Sequence, residues 1–359
     1  MTELVPIVDI SGWVSVADDA ADRRSAIATE VDEACRRIGF LQITGHGIPA
    51  DVIDAMLAAA DAFFALPVEV KGTFRSTPEE NRGYAPMGSE SLTYSLGVES
   101  LPDLFEAFNV GPDAVDELDP AVAAERHRIF APNRWPADDQ VAGMRSAFVA
   151  YFDAVNALAR RLTSIFAVAL DLPADFFDDK LTHSTETLRV NHFVRQPDSP
   201  DPLPGQVRMG AHTDYGIVTV LYGDQVPGLE IVGPDGGWHG VMPEAGAFLV
   251  NLGDLLARWT NDRWRSTVHR VAPPPRDDER PNRRRSAAFF LDGNWDAPVE
   301  VLATCCSEDN PSRYPPTTAG EHLMAKLISS RSRTSDAREG MVDPIGDRIS
   351  AVTGDAPSP

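Results

Sequence analysis

The second half of the chain consists of short strand-like runs separated by Gly, Pro and Asp, and this pattern restricts the possible folds more than any other feature. The runs occupy residues 188–194, 207–211, 218–222, 229–232, 247–251, 267–271 and 286–291. Short strands with turn residues between them are typical of a β-sandwich or jelly roll, whereas a parallel α/β sheet alternates strands with helices. We therefore predict a mainly β core in this part of the chain.

The first half of the chain has helical patterns instead. These patterns cover residues 22–37, 49–65 and 138–170, and the apolar residues of the last and longest recur at spacings of three and four. Residues 73–104 are polar and rich in glycine, which is typical of a lid or binding loop. We therefore predict a helical N-terminal part that packs on the β core.

The charge balance of the chain excludes several classes of partner. Acidic residues outnumber basic residues by 54 to 32, which gives a formal net charge of −22. Such a surface repels phosphate backbones and anionic lipids, so we expect a small-molecule ligand and no nucleic-acid or membrane partner.

No apolar run approaches the roughly 18–20 residues of a membrane-spanning helix. The first residues lack the features of a signal peptide and three cysteines cannot build a disulfide framework, so we expect a cytoplasmic protein.

The tripeptide His212-Thr213-Asp214 is the strongest candidate for a metal site. In a β-strand, residues i and i+2 point to the same face, so His212 and Asp214 can converge, and His269 in a later run can supply a third ligand. Two imidazoles and one carboxylate form the facial triad of non-haem Fe(II) oxygenases. Spacing alone does not separate this site from a turn or a hydrogen-bonded His–Asp pair.

Six motifs, taken together, give a more specific signal than any one of them. They lie at residues 39–40 with 45–49, 81–84, 212–214, 251–254, 266–271 and 284–286. By these motifs the chain resembles the isopenicillin N synthase-like family of Fe(II)- and 2-oxoglutarate-dependent oxygenases. The motifs keep their order and approximate spacing over residues 5–329, so the resemblance covers nearly the whole chain.

The resemblance implies a fold and a domain organisation. The fold is mainly β with a helical N-terminal part, and its core is a double-stranded β-helix (jelly roll). Residues 1–135 would form a helical and strand region with a substrate-facing loop, and residues 136–329 the long helix and the oxygenase core. Residues 330–359 are rich in Ser, Asp, Gly and Pro, so we expect a mobile C-terminal tail.

The resemblance also implies which residues bind iron and its co-substrate. His212, Asp214 and His269 would be the catalytic iron ligands, and Arg284 and Ser286 would hold a carboxylate of 2-oxoglutarate. A guanidinium group binds a carboxylate through two charge-assisted hydrogen bonds, and a serine two residues along the same strand faces the same way.

The strand that precedes the His-x-Asp motif departs from the family pattern. Many relatives carry Asn-x-Tyr there, and both side chains help to hold the co-substrate. This chain has Asn191-His192-Phe193, so Asn191 matches but Phe193 has no hydroxyl. One hydrogen bond to 2-oxoglutarate is therefore missing or comes from another residue.

The irregular segment and the interior of the sheet supply candidates for the substrate pocket. The aromatic members of this set have core packing as an alternative role, whereas a charged group and a phenol in a glycine-containing loop suit a polar substrate terminus. The candidates are Arg82, Tyr84, Phe193, Tyr215, Phe290 and Trp295.

The function that the resemblance implies is oxidation of an unactivated C–H bond of a small molecule, with Fe(II), 2-oxoglutarate and O2 as cofactor and co-substrates. Hydroxylation is the commonest outcome in the family, and desaturation and cyclisation use the same chemistry. The expected substrate is a specialised metabolite or an amino-acid derivative. Two alternatives remain: a 2-oxoglutarate-independent Fe(II) oxidase of the isopenicillin N synthase type, and a metal-dependent hydrolase or non-catalytic binding protein.

Overall fold

The structure is a computed structural model, and it describes residues 4–14, 20–75, 77, 80–96, 98, 100–113, 131–194, 203–274 and 283–331. Its α-helices are α1 (Ala20–Arg37), α2 (Ala50–Phe64), α3 (Val68–Gly72), α4 (Met144–Ala169), α5 (Asp254–Trp259) and α6 (Ala319–Arg331). The expected C-terminal tail lies outside the described residues, except that Ser330 and Arg331 end α6.

The described residues also form fourteen β-strands. The strands of the N-terminal part are β1 (Ile7–Asp9), β2 (Phe40–Thr44), β3 (Gly83–Ala85) and β4 (Glu106–Val110). Those that follow α4 are β5 (Ser184–Phe193), β6 (Met209–His212), β7 (Val218–Gly223), β8 (Leu229–Val232), β9 (Trp238–Gly240), β10 (Phe248–Leu252), β11 (His269–Val271), β12 (Arg284–Asn294), β13 (Pro298–Val299) and β14 (Thr317–Thr318).

Two sheets form the core. The larger has eight strands in the order β1-β2-β10-β7-β12-β5-β4-β3, and the smaller has four in the order β6-β11-β8-β9. All neighbours in these two sheets are antiparallel except β1 and β2. Strands from the N-terminal part therefore extend both edges of the larger sheet, and the expected jelly-roll core is confirmed.

Helix α4 covers the outer face of the larger sheet. Its apolar side chains at spacings of three and four, including Phe148, Val155 and Leu162, are fully buried. The ring of Phe152 packs edge-on against Phe289 of β12, with 5.1 Å between the centroids. Because alternate residues of a strand point to opposite faces, Phe289 faces α4 while its neighbours in β12 face the space between the sheets.

The predicted helix at 138–170 begins later than expected, and one glycine accounts for the difference. Gly143 has a φ of +66°, a left-handed conformation that ends any helical run before it, so α4 starts at Met144.

Within the described ranges, no helix is both long enough and apolar enough to cross a membrane.

Candidate metal centre and active-site cavity

Two neighbouring strands of the smaller sheet bring the predicted histidines together. His212 ends β6 and His269 begins β11, and the two residues are direct partners in the antiparallel register. Their ring centroids are 4.3 Å apart, and both side chains are buried. The long sequence separation between them is closed by strand pairing, which places the two imidazoles side by side.

Backbone carbonyl groups fix the orientation of both imidazoles. Nδ1 of His212 donates a hydrogen bond to the carbonyl of Gly210 at 2.8 Å, and Nδ1 of His269 donates to the carbonyl of Thr267 at 3.1 Å. Each Nδ1 therefore carries a proton, and Nε2 is the ring nitrogen that faces Asp214. Each Nε2 lies 3.7 Å from Oδ1 of Asp214.

The carboxylate of Asp214 is held through its other oxygen. Oδ2 accepts hydrogen bonds from Nδ2 of Asn251, at 2.6 Å, and from the hydroxyl of Thr219. Burial opposes ionisation of Asp214, but the adjacent His269 and His212 and these two hydrogen bonds outweigh it and hold the pKa of the carboxyl below its usual value. Oδ1 is thereby left facing the two imidazoles.

The arrangement suits a transition metal. One ligand atom from each of His212, Asp214 and His269 lies within 4.8 Å of the others, and all three residues are buried. Burial, together with the neighbouring His269, lowers the pKa of His212 to about 4, so this imidazole is neutral at neutral pH. Two imidazoles and one carboxylate on one side of a cavity match the donor set that Fe(II) oxygenases use.

A cavity of about 590 Å³ opens between the inner faces of the two sheets and reaches the triad. One end of it is cationic: Arg284 and Ser286, on the same face of β12, line it with Asn191 of the adjacent β5. The three side chains converge, since the hydroxyl of Ser286 lies 3.4 Å from Nη1 of Arg284 and 3.5 Å from Nδ2 of Asn191.

Arg284 is buried, and Asp224, the acid that acts on it, does not form an ion pair with it. Among the described residues Arg284 forms no ion pair, and its Nε atom has no hydrogen-bond partner. Burial lowers the pKa of Arg284 to about 10, a value that still leaves the guanidinium charged at neutral pH. A buried cation facing a cavity is matched by an anionic ligand, and a carboxylate has the geometry that a guanidinium binds best.

The structure places Phe193 outside the lining of the cavity. This residue is fully buried with Phe105 and Met209 and does not line the cavity. Its ring lies instead beneath the guanidinium of Arg284, 5.1 Å from ring centroid to Cζ. Because the two residues are partners in the β5–β12 register, Phe193 supports Arg284 by a cation–π contact and does not reach the substrate space.

Four of the other predicted pocket residues, Arg82, Tyr84, Tyr215 and Phe290, do line the cavity. The hydroxyl of Tyr84 donates to Oε2 of buried Glu106 at 2.6 Å, and burial and this bond raise its pKa. Trp295 does not line the cavity. It follows β12 and packs against the start of α6, where a Cβ at Gly320 would come within 2.3 Å of its ring.

Asp254 braces the segment that carries the triad. It is fully buried, and its Oδ2 accepts the hydroxyl of Thr213 at 3.0 Å and Nζ of Lys326 at 2.9 Å. Its backbone N–H donates to the carbonyl of Asp214 at 2.8 Å. The histidines donate to carbonyl groups and not to Asp254, so Asp254 positions the loop between the ligands and α6.

Several polar residues of the cavity were missed by sequence reasoning, and Asp292 is the one with a clear sequence signal. Asp292 lines the cavity from the same strand as Arg284 and Ser286. The alternation of strand residues would have indicated it, because Phe290 was already assigned to this face and Asp292 is the next residue with the same parity.

Two family models match the chain. Residues 5–138 match a model described as the N-terminal part of a non-haem dioxygenase in morphine synthesis. Residues 184–293 match the 2OG-Fe(II) oxygenase superfamily. The second match contains the triad and both Arg284 and Ser286, and the first covers α1, α2 and the four N-terminal strands.

Similar proteins match over most of their length. The 2-oxoglutarate-Fe(II) type oxidoreductase hxnY of Emericella nidulans is 32% identical over 341 residues, 94% of this chain and 93% of the relative. Validamycin A dioxygenase of Streptomyces hygroscopicus subsp. limoneus is 31% identical over 91% of this chain and 87% of its own. The crystal structure of a full-length Neurospora crassa protein in complex with alpha-KG (2-oxoglutarate) has a TM-score of 0.78 at 30% identity, over 90% of this chain and 96% of that protein. The chain therefore belongs to the 2OG-Fe(II) oxygenase superfamily and is an oxygenase that uses Fe(II), 2-oxoglutarate and O2.

Proposed function

We propose that the protein oxidises an unactivated C–H bond of a small molecule, with His212, Asp214 and His269 as the iron ligands. The observation that carries this proposal is the convergence of two Nε2 atoms and one carboxylate oxygen at a single cavity wall. Hydroxylation is the expected reaction, because it is the simplest outcome of such chemistry.

We further propose that Arg284, Ser286 and Asn191 bind the distal carboxylate of 2-oxoglutarate. The absence of an ion-pair partner for Arg284 among the described residues supports this assignment. Apolar side chains of both sheets, including Leu221, Leu229 and Val271, line the same cavity and exclude water from the bound co-substrate.

The residues of the chain have separate tasks in this reaction. Bound Fe(II) supplies the activation of O2 and the oxidising power, as metal centres of this type do. The carbonyl groups of Gly210 and Thr267 hold the imidazoles, while Thr219 and Asn251 hold Asp214 with one oxygen facing the metal position. The protein thus orients the reactants and keeps the site dry.

The named relatives support a small organic substrate. Validamycin A dioxygenase is named for a small molecule, and the Neurospora crassa protein has been solved with thymine and with 5-formyluracil. The 2-oxoglutarate-dependent mechanism is preferred to the co-substrate-independent oxidase, because the Neurospora crassa protein has been solved with alpha-KG and several relatives are named as 2-oxoglutarate oxidoreductases.

The proposal is tested by anaerobic reconstitution with Fe(II), followed by addition of 2-oxoglutarate and a visible absorption spectrum. We expect a weak band in the green when the keto acid chelates the iron, and no band in His212→Ala or His269→Ala. The matched control is His239→Ala, since His239 lies on the β8–β9 hairpin with its side chain 40% exposed.

Each result has a definite meaning. Fe(II) binding without a band contradicts the 2-oxoglutarate-dependent mechanism and favours a substrate that binds iron directly. A normal band in folded His212→Ala contradicts the ligand assignment. Circular dichroism of the variants separates loss of the site from loss of the fold.

A further inference from the structure

One strand carries polar groups at both ends of the cavity. Alternate residues of β12 line it from Arg284 through Ser286, Ala288 and Phe290 to Asp292. The pairing of β12 with β5 becomes irregular after Leu291, where the register shifts, and Gly293 has a φ of +86°. β-Bulges re-aim side chains and occur next to active sites, and Asp292 lies within this one.

Asp292 has no compensating partner in the part of the chain that the structure describes: neither a hydrogen bond nor an ion pair holds its carboxyl. Burial raises the pKa of Asp292 to about 7, and the charged groups that act on it, Asp214 and Glu186, are both of its own sign and raise it further. Glu186 is itself satisfied, since Arg160 and Asn156 bind it. Among the described residues that line the cavity, Asp292 is therefore an acid whose carboxyl has neither a hydrogen bond nor an ion pair.

A desolvated carboxylate without a partner destabilises a protein, and such groups are kept where a ligand completes them. Asp103 shows the contrast. Its carboxyl is also buried, but it accepts hydrogen bonds from the backbone N–H groups of Leu92 and Gly210. The fold thus satisfies one acid internally and leaves the other facing the cavity.

The position of Asp292 places it close to the triad. Its Oδ1 lies against Gly216, two residues after Asp214, and a Cβ built on Gly216 would come within 1.9 Å of that oxygen. Tyr215, Phe290 and Leu323 line the same cavity and give it an apolar and aromatic wall. A ligand that fits this wall and this acid has an apolar body and a positively charged group.

We propose that Asp292 binds a protonated amine of the substrate, so that the enzyme acts on small molecules with a basic nitrogen attached to an apolar or aromatic body. This inference rests on the proposed function, because it takes the cavity to be the substrate site. The amine donates to the carboxylate of Asp292 at the end of β12 away from Arg284. The two charged residues at the ends of β12 thereby bind different ligands. Arg284 binds the dianionic co-substrate, and Asp292 binds the cationic substrate.

The test compares two probes of the same size on the anaerobic Fe(II)–2-oxoglutarate complex: benzylamine and benzyl alcohol. Calorimetric titration at pH 8 gives both affinities under conditions in which the amine is protonated and the carboxyl, with a pKa of about 7, is ionised. We expect wild type to bind benzylamine at least about tenfold more tightly than benzyl alcohol, since a charge-assisted hydrogen bond contributes at least that ratio.

The variant Asp292→Asn keeps the shape of the side chain and removes its charge, so we expect it to lose the preference. The matched control is Asp296→Asn, which changes the net charge equally at a 65% exposed side chain outside the cavity. The control should keep the preference.

Equal affinities of wild type for the two probes, or a preference that survives in Asp292→Asn, would overturn the inference. The visible band of the complex is recorded in the same samples. A band that persists while the preference is absent leaves the proposed function standing, whereas loss of the band in wild type contradicts the proposed function itself.

Discussion

His212 and His269 face each other across β6 and β11, and each donates its Nδ1 hydrogen to the carbonyl of the residue two positions earlier. The two hydrogen bonds have the same local geometry on paired strands. Backbone carbonyl groups thus accept the Nδ1 hydrogen of both imidazoles, and the ring of Phe40 packs edge-on against His269 with 5.5 Å between the centroids. The carboxylate of Asp214, by contrast, depends on side chains.

The first prediction concerns the side chains that hold the carboxylate of Asp214. Thr219→Val and Asn251→Ala each remove one hydrogen bond to Oδ2 of Asp214, so the carboxylate loses its fixed orientation. We expect metal affinity to fall roughly 10–100-fold in each variant, the usual effect of losing a partner of a ligand. Titration with Mn(II) followed by electron paramagnetic resonance measures it.

The control for this prediction is Thr185→Val. Thr185 lines the same cavity, but its hydroxyl donates to the carbonyl of Gly293 and not to the triad. Metal affinity in Thr185→Val should equal that of wild type. Unchanged affinity in both Thr219→Val and Asn251→Ala would show that the strand backbone alone holds Asp214.

The second prediction concerns the co-substrate. Arg284→Ala removes the cation that faces the cavity, and we expect half-saturation by 2-oxoglutarate to shift upward roughly 10- to 150-fold, the range for hydrogen bonds to a charged group. Arg283→Ala is the control, because Arg283 is 45% exposed and pairs with Asp61. The shift is read from the amplitude of the visible band at increasing 2-oxoglutarate, and equal curves for the two variants would assign the carboxylate to another residue.

Much of the fold and the triad could be predicted from the sequence, for physical reasons. The His-x-Asp motif predicts that His212 and Asp214 converge, although β6 ends at His212 and Asp214 lies beyond it, and ordered turn residues predict a jelly roll. Arg284 and Ser286 follow from strand alternation on β12. These predictions use only residues that are close in sequence and the family's pattern of motifs, and both can be read from a single sequence.

Other features depend on contacts that the sequence does not record. Phe193 was expected to face the substrate, but the strand register places it under Arg284. Trp295 lies just beyond the irregular end of β12, where strand alternation no longer predicts direction, and it packs on α6. The lack of a hydrogen-bond or ion-pair partner for Asp292 also depends on the tertiary fold, since only the folded cavity shows which acids have a partner.

The third prediction is a pH dependence of stability in the metal-free protein. The pKa of Asp292 is raised to about 7 in the folded state, whereas an unfolded chain has an aspartate pKa of about 4. Between these values the folded state binds more protons, so the contribution of Asp292 to stability falls as pH rises and reaches its lowest level above pH 7. Asp292→Asn removes this loss.

We therefore expect the melting temperature of Asp292→Asn to exceed that of wild type by an amount that grows from pH 5 to pH 8. Thermal unfolding of the two metal-free proteins at several pH values measures the difference. Asp309→Asn, at an exposed position outside the cavity, should track wild type throughout. A constant difference across this range would show that the Asp292 carboxyl titrates normally in the folded protein.

The fourth prediction concerns the link between α6 and the loop of the triad. Nζ of Lys326 lies 2.9 Å from Oδ2 of Asp254, which is fully buried and also accepts the hydroxyl of Thr213. Lys326→Met leaves that carboxylate without its cation, and breaking such a buried pair costs about 3–5 kcal/mol. We expect the free energy of unfolding to fall by this amount, and metal affinity to fall as well, because Thr213 lies between two of the ligands.

The double variant Lys326→Met/Asp254→Asn distinguishes an unpaired charge from lost packing. The amide that replaces the Asp254 carboxylate carries no charge, so the double variant should regain a large part of the stability that Lys326→Met loses. Arg145→Met provides the exposed comparison, since Arg145 is 66% exposed in its pair with Asp113 and such pairs contribute about 1 kcal/mol or less. Urea unfolding of the four proteins yields the free energies. If the single and double variants are equally destabilised, the helix is held by packing alone and the ion pair does not couple α6 to the metal loop.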